Sequence, residues 1–177
     1  MGLNTKELLS KAVNFHGHAC PGLLIGVLAS KYVLENGNDF SLDEELVAIV
    51  ENDNCSVDAL QALLGTTFGK GNLIFRDYGK NNYSIYNRTN KKAVKLSVKK
   101  SVFGDKVLTR EEKMKKLLES NPEDLFEIKM LSDNPPEKAQ IHESVPCDNC
   151  GEPTMSTRIR NLKEKRFCIP CYEQLRT

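Results

Sequence analysis

Apolar side chains recur along this chain at two different periods, and the change from one to the other divides it. Near the start, MGLNTKELLSKAV puts Leu8, Leu9, Ala12 and Val13 on one side, the spacing of an amphipathic helix. PGLLIGVLASKYVLENG is apolar all round, with Pro21 near the first helical position and Gly37 just past the end, which predicts a well-delimited, largely buried helix. LVAIVE (46–51) is short, apolar and β-branched, as a buried strand requires. NDNCSVDALQALLG then turns out of that strand into a further helix, with Ser56 as candidate N-cap and Gly65 as terminator.

Beyond residue 71 the period shortens. NLIFRDY, YSIYNRT and AVKLSVK read as three strands, the last two alternating and joined by a turn around Asn90. TREEKMKKLLESN opens with Thr109 and Glu112 at capping-box spacing and reads as a surface helix, and LFEIKML as one more strand. Residues 1–131 therefore predict an α+β domain, helices packed on a mostly antiparallel sheet. SDNPPEKAQIHESVP (132–146), with three prolines, reads as a linker, and 147–177 as a separate small unit. The glycines of GTTFGKGN invite a phosphate-loop reading, but Gly65 and Gly69 are one residue too close and Gly71 follows Lys70 where a hydroxyl is needed. A tight loop feeding a strand accounts for them.

Composition narrows the function classes. The 177 residues carry a formal net charge of +1, so no global field favours nucleic acid or an anionic membrane. No apolar stretch reaches the roughly 18 residues of a membrane span. The N-terminal segment carries Glu7 and lacks a long apolar centre and a cleavage site, so it does not read as a secretory signal. A cytoplasmic location is expected, where thiols stay reduced and paired cysteines point to metal or reactivity.

Four of the six cysteines lie in CDNCGEPTMSTRIRNLKEKRFCIPC, two C-x2-C pairs seventeen residues apart. Such pairs, each in a tight turn, present four sulfurs at tetrahedral angles to zinc at about 2.3 Å. A hairpin between Gly151 and Pro170 would bring Cys147, Cys150, Cys168 and Cys171 together. So short a segment cannot build its own core, and the ion must contribute about 10 kcal/mol or more to its folding. RIRNLKEKR holds five positive charges against one negative; a solvated hairpin is the preferred reading over a phosphate contact. The spacing is similar to that of prokaryotic C4-type zinc fingers.

The remaining two, Cys20 and Cys55, each precede a predicted helix, whose free N–H groups and partial positive charge favour thiolate. In HGHAC, His16, His18 and Cys20 alternate, and in an extended segment they would project to one side. Imidazole plus two thiolates makes an incomplete shell for zinc or ferrous iron with a position left open. The alternative is a buried apolar cysteine and a histidine bonded to backbone.

FHGHACPG, NDNCSVDALQALLGTTFGKGNL and RDYGK, in that order over roughly residues 10–100, resemble the signature blocks of the FmdE family, named for a component of formylmethanofuran dehydrogenase. The resemblance implies an α+β core followed by a zinc domain, usually a homodimer, with a metal-binding cleft. It makes His18, Cys20 and Cys55 the foremost ligands or reactive groups, with His16 a second candidate. Asp58 is a possible acceptor orienting a ligand histidine, and Lys70 a possible contact for an anionic ligand. The chain is too short to enclose a molybdenum or tungsten pterin and has no iron–sulfur cysteine run. The leading expectation is a metalloprotein that binds or transforms a small molecule in redox or one-carbon metabolism. The alternatives are an accessory subunit or metal carrier for a larger redox enzyme, and a zinc-ribbon regulator. Nucleic acid is disfavoured by near-neutral charge and the lack of interleaved aromatics.

Overall fold

The computed structural model describes residues 2–104 and 108–175. The chain divides after Ala139 into two compact units. The first contains α1 (Thr5–His16), α2 (Pro21–Glu35), β1 (Leu46–Val50), α3 (Ser56–Leu64), β2 (Leu73–Phe75), β3 (Asn82–Asn87), β4 (Ala93–Val98), α4 (Lys100–Phe103), α5 (Arg110–Leu118), α6 (Pro122–Leu125) and β5 (Phe126–Leu131). Its five strands run in the order β2-β1-β3-β4-β5. Only β1 and β2 are parallel, with Ala48 opposite Leu73; the other pairings are antiparallel. This is the expected α+β arrangement.

β1 is buried along its whole length because both faces of the sheet are covered there. Leu46, Ala48 and Val50 join the main core with α1, α2 and α3, while Val47 and Ile49 join Tyr86 and Ala93 in a smaller cluster. The all-round apolar pattern of α2 has the same cause: nine of its residues are buried. Two four-residue helices, α4 and α6, escape periodicity because neither completes two turns.

α2 and α3 approach closely at Gly26. A Cβ there would collide with the backbone of Ser56, its carbonyl oxygen first, so no larger residue fits without parting the helices. Ser30 Oγ, one turn on, donates to Gly26 O at 2.9 Å. Ser56 is the first residue of α3 and not its cap; Cys55 holds that position. The Ser56 hydroxyl instead lies 2.6 Å from the Tyr83 hydroxyl, buried between helix and sheet.

The expected linker is partly built into this unit. Arg88 donates to Pro136 O and Glu137 O, and Ala139 N donates to Glu44 Oε2. At its other end, β6 (Ser144–Pro146) belongs to the second unit and pairs with β7 (Pro153–Met155). There β8 (Ile159–Leu162) and β9 (Lys165–Cys168) form the hairpin between the cysteine pairs, followed by α7 (Ile169–Gln174). Lys163 and Glu164 make its two-residue turn, both at positive φ, as a turn matching strand twist demands. Its buried cluster is only Cys147, Phe167, Cys168 and Cys171, with Leu162 and Tyr172 against it. Among the described residues no helix is long and apolar enough to cross a membrane.

Gly26→Ala should cost about 1–3 kcal/mol or more, the range for overpacking a tight core. Denaturant unfolding of the variant measures it, and a stability equal to wild type would contradict the close approach.

Candidate metal centres

Helix α1 runs through His16 and stops where Gly17, at φ 96°, takes the left-handed conformation and donates to Val13 O at 2.7 Å. That turn leaves His16 on the last helical turn and His18 on the exposed side. HGHAC is therefore not the extended segment that would align His16, His18 and Cys20. The preference for His18 over His16 loses its geometric basis: a His16 ring nitrogen, Cys20 Sγ and Cys55 Sγ all lie within 4.8 Å of one another, and His18 is not among them. The His18 ring only stacks obliquely on His16, centroids 4.5 Å apart.

Each sulfur owes its place to a helix start. Cys20 caps α2, its Sγ accepting from Leu23 N at 3.3 Å. Cys55 precedes α3 but its sulfur caps nothing. The expected thiolate-favouring environment is not found at Cys55: burial, and then the Cys20 thiol beside it, push the Cys55 thiol up. Without a cation nearby, these two effects outweigh the partial charge of the helix end.

His16 Nδ1 lies 2.7 Å from Asp58 Oδ2, one turn into α3. Gln61 Nε2 donates to the other carboxylate oxygen at 3.2 Å. With Asp58 taking the Nδ1 proton, a neutral ring presents its Nε2 lone pair. That Nε2 is buried and makes no hydrogen bond. A buried acceptor left unpaired costs about 1–3 kcal/mol, and one that adjoins two sulfurs has the chemistry of a metal ligand. The donor set thus fits zinc or ferrous iron with protein ligands on three sides. An open hollow of about 420 Å³, reached by His16, Asn52, Cys55, Asp58 and Phe68, adjoins it.

Lys70 does not point at this site. Its ammonium donates to Ser41 O at 2.9 Å and Leu42 O at 3.3 Å. The neighbouring Asn72, fully buried, bonds the carbonyls of Asp43, Leu46 and Gly65. GKGN is a clamp on the segment that leads into β1. Arg110 of α5, which no local pattern singles out, donates to Ala19 O at 2.5 Å and so braces the residue before Cys20.

In the second unit the four sulfurs of Cys147, Cys150, Cys168 and Cys171 also lie within 4.8 Å of one another. Gly151 N donates to Cys147 O and Cys168 N to Cys147 Sγ, the backbone pattern of a metal-binding turn. The N–H groups of Cys150 and Cys168 bring the Cys147 thiol down to about 6. At Cys150 the Glu152 N–H pulls the other way, yet desolvation and the neighbouring sulfurs drive the thiol up to about 12. Four sulfurs so close cannot all ionise without a cation among them.

Asp58→Asn should weaken metal binding at the first centre about 10- to 100-fold, the usual cost of losing a carboxylate behind a ligand histidine. His18→Ala should leave it unchanged. Chelator competition on both variants checks this.

The chain matches the family described as FmdE, molybdenum formylmethanofuran dehydrogenase operon, over residues 15–138. Residues 142–175 match the prokaryotic dksA/traR C4-type zinc finger, which with the four clustered sulfurs supports a structural zinc there. A "Probable S-adenosyl-L-methionine-binding protein" of Archaeoglobus fulgidus is 33% identical over 195 aligned positions, taking in 93% of this chain. The chain spans about half of that relative, 52% of its length. The crystal structure of an FmdE-like protein of tungsten formylmethanofuran dehydrogenase type, from Syntrophus aciditrophicus, is similar with a TM-score of 0.74 at 26% identity, over 96% of this chain and 92% of that one. The chain belongs to the FmdE family, with a four-cysteine ribbon following the family domain.

Proposed function

We propose that this chain is a metalloprotein whose working centre is formed by His16, Cys20 and Cys55. It would hold zinc or ferrous iron with one coordination position free for a small molecule of redox or one-carbon metabolism. The observation that carries this reading is the buried Nε2 of His16, without a hydrogen bond and set beside two thiols while Asp58 secures the other ring nitrogen. A cation there deprotonates both thiols and gives the nitrogen its partner. When bound, the ion supplies a Lewis acid that polarises a carbonyl or lowers the pKa of a bound water. Of this chain's own groups, His16 and the two sulfurs hold the centre, Asp58 fixes the imidazole, and the adjoining hollow admits the ligand. The four-cysteine ribbon plays a structural part.

A second reading, an accessory or metal-carrying module, has one observation in its favour. In the Archaeoglobus relative the matching region is only about half of a longer protein, so a related domain works there joined to other sequence. The cofactor in that relative's name belongs to the whole protein and is not assigned to this half.

Metal analysis of anaerobically purified protein should find two equivalents per chain. Cys55→Ser should lose one while the circular dichroism of the core is kept. Cys147→Ser should lose the other and unfold the ribbon alone. A single equivalent in wild-type protein whose ribbon is full would refute the core centre.

A further inference from the structure

Cys55 lines two cavities. Besides the open hollow beside His16, a more enclosed one of about 350 Å³ lies against α2 and α5, within the size range of small-molecule sites. Its walls are mostly apolar, from Ile25, Val102, Leu117 and Leu125 among others. The polar wall is largely self-satisfied: Asn54 Nδ2 donates to Asn81 Oδ1 at 2.7 Å, and Asn54 Oδ1 accepts from the Ser56 hydroxyl.

What is left over is cationic. Lys113 and Lys116, three residues apart on α5 and therefore neighbours on one face, are the charged residues of the lining. Among the described residues neither makes an ion pair or hydrogen bond. No carboxylate lines the cavity. By contrast, Lys31, Lys95 and Arg88 are each committed to an acidic partner.

The wall next to the sulfurs is open because residue 22 is glycine. A Cβ there would sit 3.4 Å from Cys55 Cβ and 3.9 Å from both the Cys20 and Cys55 sulfurs. The site would accept that atom, since these are ordinary contact distances and Gly22 lies in a helix. Its absence keeps both sulfurs approachable from the cavity.

The geometry points to this cavity as the binding site for an organic carboxylate with an apolar body. Its head meets Lys113 and Lys116, and its body lies along the apolar wall toward the sulfur pair beside Gly22. This deepens the reading of the metal centre by naming the ligand class for that same site, and rests on it only for what happens at the sulfurs. Two exposed lysines contribute a modest, salt-screened attraction; the apolar wall supplies the rest.

The test uses octanoate as probe, with octanol and octylamine of matching length, on the full metal-loaded chain. Calorimetry and amide chemical shifts read binding, and the metal content of each sample is measured. Octanoate should bind, perturbing Ile25, Val102 and Leu117, more tightly than octylamine and less tightly as salt rises. Lys113→Gln with Lys116→Gln should weaken octanoate about fivefold to tenfold and leave octanol unchanged. Gly22→Ala should weaken both with metal retained. Absence of octanoate binding at millimolar concentration, equal binding of octylamine, or shifts clustered elsewhere would overturn the assignment. Should octanoate bind as described to protein lacking the core metal, the metal reading fails and the cavity stands; full metal with no lysine dependence gives the reverse.

Discussion

The first unit is organised around the contact between Gly26 and the first turn of α3, where a Cβ would collide with backbone. Two helices that meet so closely near their beginnings bring their N-terminal ends together, and each of those ends carries a cysteine, Cys20 and Cys55. The buried bond between Ser56 and Tyr83 then ties the start of α3 to the sheet. Proximity of the sulfurs is thus a consequence of helix packing, with no local turn motif holding them. The third donor arrives by the same logic, since α1 ends at His16 and Asp58 of α3 takes hold of its ring.

Two kinds of metal centre follow from two ways of building a fold. The ribbon has too few buried side chains to stand alone, so its sulfurs are brought together by tight turns and its ion is part of its folding. The α+β unit has a full core of its own and can keep His16, Cys20 and Cys55 in place as a preformed group. A preformed group bears a cost of its own: an unpaired nitrogen and two buried thiols side by side, the Cys55 thiol pushed up. Such a cost is tolerated at functional sites because a ligand removes it.

Much of the architecture was legible in the apolar pattern because the long elements obey it: α2 through its unbroken apolar run, β3 and β4 through alternation. The same holds for the ribbon, whose cysteine spacing states its purpose. The centre in the core was legible only in part. Cys20, Cys55 and Asp58 stand out beside helix starts, but the choice between His16 and His18 depends on where α1 ends, and a left-handed glycine decides that. Lys70 misleads because its carbonyl partners lie 28 and 29 residues away. Lys113 and Lys116 are hidden in what reads as an ordinary charged surface helix; that α5 closes a cavity against α2 is a tertiary fact with no local signal.

The account rests on an ion held by His16, Cys20 and Cys55. Anomalous diffraction at the metal's absorption edge, from crystals of protein purified without air, addresses this directly. It should place one peak among the four ribbon sulfurs and a second about 2.0–2.3 Å from His16 Nε2, Cys20 Sγ and Cys55 Sγ. A filled ribbon with no density at the second position, or a core metal bound through His18, would contradict it.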